Sequence, residues 1–297
     1  MPTSQTLDRI RGCIIAGAIG DAMGGPYEGT TGPLTFNDHR DWIISDDTQL
    51  TIATCESIIE VRKVSPEHIA KRFAQWFRAR RLTGLGSSTL KALRDLDMGL
   101  HWALAGAKGE MSAGNGAAMR IAPLAFHLDP EDVKDRQLIR DVCRITHHNE
   151  EAYAGALAIV IAVRSLAFDQ STPGTLCQTV VAGLPDSRVR DRLVELEYLS
   201  DNLTVADVGG IFGSSGYVVD SVPLAIYAAR FIELLPLDEV LRNTIEAGGD
   251  TDTIASMAGQ IAGAWLGVSG ISRKLSGRLP KAREIERVVD EFARTLL

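Results

Sequence analysis

Between positions 7 and 22, apolar residues recur at Leu7, Ile10, Ile14, Ala18 and Ala22, the spacing of one helix face. Gly12, Gly17 and Gly20 are threaded through the same stretch. Glycine weakens a helix, so a helix that keeps three of them is built for the close approach of another helix. The helical period returns at 50–61, 66–80, 89–96, 120–128, 132–146, 150–168 and 188–199, then at 221–235, 237–247, 253–266 and 281–296. Pro66 falls in a first helical turn, where its missing N–H costs nothing. Strand patterns are scarce, Trp42-Ile43-Ile44 being the best short candidate. No repeat, low-complexity tract or Pro/Ser-rich linker interrupts the pattern. The expectation is one all-α domain over 1–297, of roughly a dozen helices, with residues 1–6 disordered.

A chain of 297 residues buries a sizeable core. Its net charge of -7 argues against strong nucleic-acid binding, which needs a basic surface. It leaves room for a small anionic ligand met locally by metal ions or backbone amides. Cys13, Cys55, Cys143 and Cys177 are widely spaced and form no CxxC pair, so reduced, buried thiols are expected. Met1 to Arg11 is polar and charged, unlike a secretion signal, and the apolar run from Ala152 to Val163 is too short to span a bilayer. A soluble, cytoplasmic protein with no membrane partner is expected.

Two clusters carry the chemistry. Ser45-Asp46-Asp47-Thr48 and Asp250-Thr251-Asp252-Thr253 each stand at the predicted start of a helix, about two hundred residues apart. Asp, Ser and Thr are ordinary helix caps, and carboxylates suit the positive end of the helix dipole. A cap needs one such side chain, whereas each cluster supplies four. Adjacent carboxylates repel, and bound cations are the simplest compensation. If the fold joins the two helix starts, four carboxylates and two hydroxyls make an oxygen-rich site for two hard divalent ions. A DDxxD diphosphate site does not fit, because Leu50 takes the place of the third acid. A His-Asp phosphohydrolase does not fit either, since the chain has no His-Asp dipeptide.

Beside these clusters lie Gly17-Ala18-Ile19-Gly20-Asp21-Ala22-Met23-Gly24 with Pro26-Tyr27-Glu28, Gly86-Ser87-Ser88-Thr89-Leu90, and Ala113-Gly114-Asn115-Gly116-Ala117-Ala118-Met119-Arg120. Thr146-His147 and Gly213-Ser214-Ser215-Gly216-Tyr217 follow. In this order the segments resemble the ADP-ribosylglycohydrolases, a family that includes dinitrogenase-reductase-activating glycohydrolases and protein ADP-ribose hydrolases. The resemblance covers nearly the whole chain and implies a compact, orthogonal multi-helix domain. It implies two Mg²⁺ ions (Mn²⁺ in some members) held by Ser45, Asp46, Asp47, Asp250, Asp252 and Thr253. Many relatives have Thr where Ser45 stands, and Ser keeps the hydroxyl oxygen.

The same resemblance makes Glu28 a mobile-loop glutamate that closes over the metals or acts on the scissile bond. Glu28, Asp47 and Asp250 are the candidates for handling protons. Ser112, Gly114, Asn115 and Gly116 would cradle the diphosphate and distal ribose of ADP-ribose. His147 would line the pocket, and Tyr217, beside Ser214 and Gly216, would cover the adenosine. On residues alone, Glu28 also reads as a solvated loop carboxylate and Tyr217 as a half-buried surface aromatic. Where some relatives carry an aromatic, this chain has Ala113. His148 is expected to be structural and Arg120 to make a buried ion pair. The implied reaction is hydrolysis at the anomeric carbon of the distal ribose, which releases ADP-ribose from an ADP-ribosylated protein or other acceptor. The alternative is a non-catalytic ADP-ribose binder, or a structural relative like the lens crystallin of this fold. Loops 29–41 and 82–88 are expected to choose the acceptor, and a monomer is expected.

Overall fold

The computed structural model describes residues 3–199 and 202–297. Among them the chain forms fourteen α-helices. The first half carries α1 (Ser4–Gly24), α2 (Asp46–Val61), α3 (Pro66–Arg78), α4 (Ser87–Asp97), α5 (Val133–Arg144) and α6 (Glu150–Ala167). The second half carries α7 (Leu176–Gly183), α8 (Arg188–Glu197), α9 (Val205–Phe212), α10 (Val218–Ala229), α11 (Leu237–Glu246), α12 (Thr251–Leu266), α13 (Arg273–Ser276) and α14 (Ala282–Ala293). The only strands among the described residues are β1 (Ala107–Lys108) and β2 (His147–His148), which pair in parallel. The all-α expectation holds. No described helix is long and apolar enough to cross a membrane. All four cysteines are free and buried, as expected of them.

α1 and α12 run antiparallel in tight contact, and their glycines are the reason. A Cβ on Gly20 would fall 2.1 Å from the carbonyl oxygen of Ala255, and one on Gly263 2.2 Å from that of Gly12. No side chain fits such gaps, so the helix backbones touch. The glycine-threaded stripe at the N-terminus therefore meets a second one at Gly259 and Gly263. Because the pair is antiparallel, the end of α1 lies at the beginning of α12: the Thr251 hydroxyl donates to the carbonyl of Gly24 at 2.9 Å. α6 is buried from Ala152 through Val163 and packs against α12, as its all-apolar pattern demands.

Several local expectations are corrected. α1 starts at Ser4, with Thr3 accepting from the Thr6 N–H, so residues 4–6 are helical, while residues 1 and 2 lie outside the described residues. Trp42-Ile43-Ile44 is extended coil without a partner strand. Residues 120–128 form short 3₁₀ turns and no α-helix, because Pro123 lacks the N–H that a longer helix needs. α5 ends at Arg144, which puts His147 on β2 and not on a helix.

Candidate active site

The first turn of α2 is capped by Ser45, whose Oγ accepts from the Asp47 N–H. Asp21, from the buried face of α1, does the rest. Its carboxylate accepts from the Ser45 N–H at 3.0 Å, the Ser45 Oγ–H at 2.8 Å, the Thr48 N–H at 3.0 Å and the Thr48 hydroxyl. With Ser45 and Asp21 serving the free N–H groups, Asp46 and Asp47 are surplus to capping. At the start of α12, Asp250 occupies the cap position but its side chain makes no capping bond. The turn before it needs Gly249, with φ of 79° and a backbone so close that a Cβ would sit 2.0 Å from the Ser214 carbonyl oxygen.

The two helix starts meet. Thr253 Oγ1 donates to Asp47 Oδ2 at 3.2 Å, and Ser45 Oγ lies 3.0 Å from the same oxygen. Asp21, Asp47 and Asp252 each place an oxygen within 4.8 Å of the others, and so do Glu28, Asp250 and Asp252. Asp252 belongs to both groups, which gives two adjacent oxygen cages sharing one carboxylate. Asp47 Oδ1 is buried and has no hydrogen-bond partner. Burial raises the Asp47 carboxyl well above its ordinary value, with Asp252 and Asp21 adding repulsion. Asp46 is likewise raised well above, by burial and by Asp21. Burial and Asp250 push Asp252 up to about 8, and burial raises Asp250 and Glu28. Such a cluster cannot be fully ionised without cations, and an orphaned carboxylate oxygen in its midst has the geometry of a ligand atom.

Beside the acids opens a cavity of about 500 Å³. Asp46, Asp47, Asp250, Asp252, Thr253 and Glu28 form one end of its wall; Gly114, Asn115, Gly116, His147, Ser215 and Gly216 form another. Ser87, Ser88 and Thr89 at the start of α4 complete the rim with Met111. No Lys or Arg lines it among the described residues.

A family model for ADP-ribosylglycohydrolase matches residues 2–296. The chain belongs to the ADP-ribosylglycohydrolase family. It is 30% identical to an uncharacterized protein of Archaeoglobus fulgidus over 86% of this chain and 87% of that one. It is 28% identical to the ADP-ribosyl-[dinitrogen reductase] glycohydrolase of Rhodospirillum rubrum over 95% of each. It is 27% identical to the ADP-ribosylhydrolase ARH3 of Homo sapiens over 90% of this chain and 88% of the relative. A solved structure titled ADP-ribosylglycohydrolase-related protein complex superposes with a TM-score of 0.76 at 24% identity, covering 99% of this chain and all of that one, and so shares its fold.

Within this family member, some expected site residues sit elsewhere than on the cavity wall. Ser112 is buried and its hydroxyl donates to the Ala107 carbonyl at 2.9 Å, so it braces β1. Ser214 lines a neighbouring cavity behind Gly249, and its carbonyl accepts from the Asp250 N–H at 2.8 Å. The Tyr217 ring does not line the cavity; its hydroxyl accepts from Arg188 at 3.4 Å at the rim. Asn115 faces the acids as much as the cavity: its Nδ2 donates to Asp250 Oδ2 at 2.6 Å and to Ser221 Oγ at 3.1 Å. Glu28 follows a 3₁₀ turn at Gly25–Tyr27, and its loop is strapped down by paired backbone bonds between Gly29 and Gly249 and between Gly249 and Thr30, each 2.8 Å. His148 is structural, its Nε2 on the Ala105 carbonyl at 2.7 Å. Arg120 is fully buried but has no carboxylate partner among the described residues, contrary to the expected ion pair. Asp21 joins the acid cluster without having been singled out in the sequence, and Thr48, named there only within its cluster, donates to it. The signal for Asp21 was an acid on the apolar face of α1 with no basic residue in reach along the helix.

Proposed function

We propose that this chain is a divalent-metal-dependent ADP-ribosyl-acceptor glycohydrolase that cleaves the bond at the anomeric carbon of the distal ribose and releases ADP-ribose. The observation that carries the reading is Asp252, shared between two carboxylate groups beside a cavity with phosphate-friendly glycine walls. The relatives' names, ADP-ribosylhydrolase and ADP-ribosyl-[dinitrogen reductase] glycohydrolase, point the same way.

In this reading Ser45, Asp46, Asp47, Asp250, Asp252 and Thr253 hold two Mg²⁺ or Mn²⁺ ions, with Glu28 reaching them from its loop. When bound, the ions supply Lewis-acid charge for the ribose hydroxyls and for activating water. The orphaned Asp47 Oδ1 and the absence of any Lys or Arg on the wall support it, since five carboxylates need cationic charge from somewhere. Asp21 holds the α2 start in place through its hydrogen bonds and adds its carboxylate to the group it forms with Asp47 and Asp252. Asn115 holds Asp250 in place. The Gly114 and Gly116 N–H groups serve the diphosphate, the Asn115 N–H being donated to the Gly216 carbonyl at 3.1 Å, and the neighbouring Tyr217 covers the adenosine. Glu28, Asp47 or Asp250 manages the proton that water loses as cation-like charge builds on the ribose. The Glu28 carboxyl, exposed on its loop yet raised by partial desolvation and by Asp250, suits that role. The substrate is an ADP-ribosylated protein or another ADP-ribosylated acceptor, the protein acts as a cytoplasmic monomer, and no strong nucleic-acid binding is involved.

A panel of arginine-, serine-, polymer- and nucleic-acid-linked ADP-ribose substrates tests the reading. One or more should yield free ADP-ribose with Mg²⁺ or Mn²⁺. Tight ADP-ribose binding without hydrolysis of any of them would replace it with the non-catalytic binder.

A further inference from the structure

Arg120 is a costly residue to bury in this fold. Its side chain is fully buried, Nε and Nη1 have no hydrogen-bond partner, and among the described residues no carboxylate lies within ion-pair distance, Asp46 acting on it only from further off. Its guanidinium lies over the Phe73 ring at 4.9 Å, and Nη2 makes one good bond, 2.7 Å to Thr146 Oγ1, with a longer one of 3.4 Å to the Val142 carbonyl. A buried charge with two orphaned donors and no direct ion pair costs stability, and an apolar residue of similar shape would serve packing better.

The bond to Thr146 has a consequence one residue further on. Thr146 Oγ1 lies 2.7 Å from His147 Nδ1, and both residues are buried. Arg120 can only donate, so Thr146 Oγ1 accepts from it and has its own proton left to give. The one acceptor in reach is His147 Nδ1. With Nδ1 accepting, the neutral imidazole carries its proton on Nε2. The opposite tautomer would orphan the buried threonine proton, a penalty that disfavours it by about five- to a hundredfold. Burial and the Arg120 charge push His147 down to about 3, so the ring is neutral at physiological pH. Nε2 has no partner among the described residues and faces the cavity wall at Gly114 and Gly116. A Cβ there would fall 3.3 Å from Nε2 and 2.9 Å from Cε1, respectively. The backbone of this segment is held by pairing of β1 with β2.

We propose that Arg120 and Thr146 are positioning residues that lock His147 as the Nε2–H tautomer, and so present a fixed, uncharged donor to an oxygen of bound ADP-ribose. The ligand's identity rests on the proposed function; the relay itself does not. A neutral donor suits a cavity already rich in charge, because it contacts a phosphate or ribose oxygen without competing with cations for the carboxylates. An imidazole free to change its tautomer would at times offer an acceptor and repel that oxygen.

Two-bond ¹H–¹⁵N NMR of histidine-labelled protein reads the tautomer directly, and calorimetry with ADP-ribose reads its use. The wild type should show His147 protonated on Nε2 alone. Thr146→Val, which keeps shape but removes the hydroxyl, should shift the ring toward Nδ1–H or a mixture and weaken ADP-ribose by about three- to tenfold. Thr146→Ser should keep both wild-type readings. An Nδ1–H ring in the wild type overturns the relay whether or not any variant folds, and so does an unchanged tautomer in folded Thr146→Val. An altered tautomer with unchanged ADP-ribose affinity overturns the claim that the donor reads the ligand. A wild type with the stated tautomer and no ADP-ribose binding counts against the proposed function and leaves the relay standing.

Discussion

Removal of divalent cations should make this protein lose stability as pH rises, and the acid cluster sets how much. Burial and Asp250 raise the Asp252 carboxyl from 3.8 to about 8, while the unfolded chain ionises in the ordinary carboxylate range. Between those values the folded state binds more protons than the unfolded state, so stability is full at low pH and falls as pH climbs through the folded value. Two buried histidines work in the opposite direction. His127 is pushed down to about 4 and His147 to about 3, but both effects end near the ordinary histidine range. Above about pH 6.5 the histidines drop out, and the thiols of Cys13, Cys55, Cys143 and Cys177, raised by burial, add a loss of the same sign only toward the top of the window. From about pH 6.5 to 8.5 a single carboxyl titrating near 8 loses ~2 kcal/mol of folding stability, and Asp47 and Asp46 add to it. For a chain of this size that is a Tm fall of ~3 °C.

Calorimetry or dye-based melting in EDTA across that window measures it. Saturating Mg²⁺ or Mn²⁺ at a hundredfold its Kd should restore ~2.7 kcal/mol per site and flatten the slope. Asp252→Asn gives the sharpest contrast. Asn keeps the acceptor for the Thr253 N–H, at 2.9 Å in the wild type, but cannot ionise. In EDTA at about pH 8.5 it should be more stable than wild type by ~1–2 kcal/mol, and it should lose the metal-dependent gain. An EDTA-treated wild type whose Tm stays flat or rises over this window refutes the reasoning. So does an Asp252→Asn protein that melts lower than wild type without metal.

Three further outcomes follow from the geometry. Glu28→Gln should leave ADP-ribose binding within a few-fold of wild type while turnover falls by ~10²–10⁴, seen by comparing calorimetry with product release. Asp21→Asn, which removes charge from the acceptor of four hydrogen bonds at the α2 start, should cut turnover at least ~10-fold and weaken metal binding; a metal titration by calorimetry checks it. Gly20→Ala forces a Cβ into the 2.1 Å gap at Ala255 and should cost ~1–3 kcal/mol in denaturant unfolding, because two helix backbones must part.

The helical architecture was legible because period and glycine placement are local properties that tertiary packing reinforces. Gly12, Gly17 and Gly20 even announced a tight helix partner, though not that it was α12. The acid clusters were legible through redundancy, since no helix start needs Asp46, Asp47, Asp250 and Asp252 for capping. What sequence withheld were contacts made across long separations. Asp21 serves a helix 24 residues further along the chain, and Asn115 braces Asp250 across 135 residues. Neither partner can be read from spacing. Tyr217, Ser112 and Ser214 came from segment resemblance, which locates a loop near a ligand without saying which way each side chain turns. The short strand at His147–His148 went unseen because two residues carry no period at all.

The central claim, metal-dependent release of ADP-ribose by this chain, is tested most directly by one measurement. Purified protein is incubated with an ADP-ribosylated acceptor, and products are followed by mass spectrometry with Mg²⁺ or Mn²⁺, then with EDTA, then with the metal restored. The account calls for intact ADP-ribose and unmodified acceptor with metal, none above background in EDTA, and recovery on restoring the ion. Release that continues undiminished in EDTA, or no release from any linkage with metal present, would contradict it.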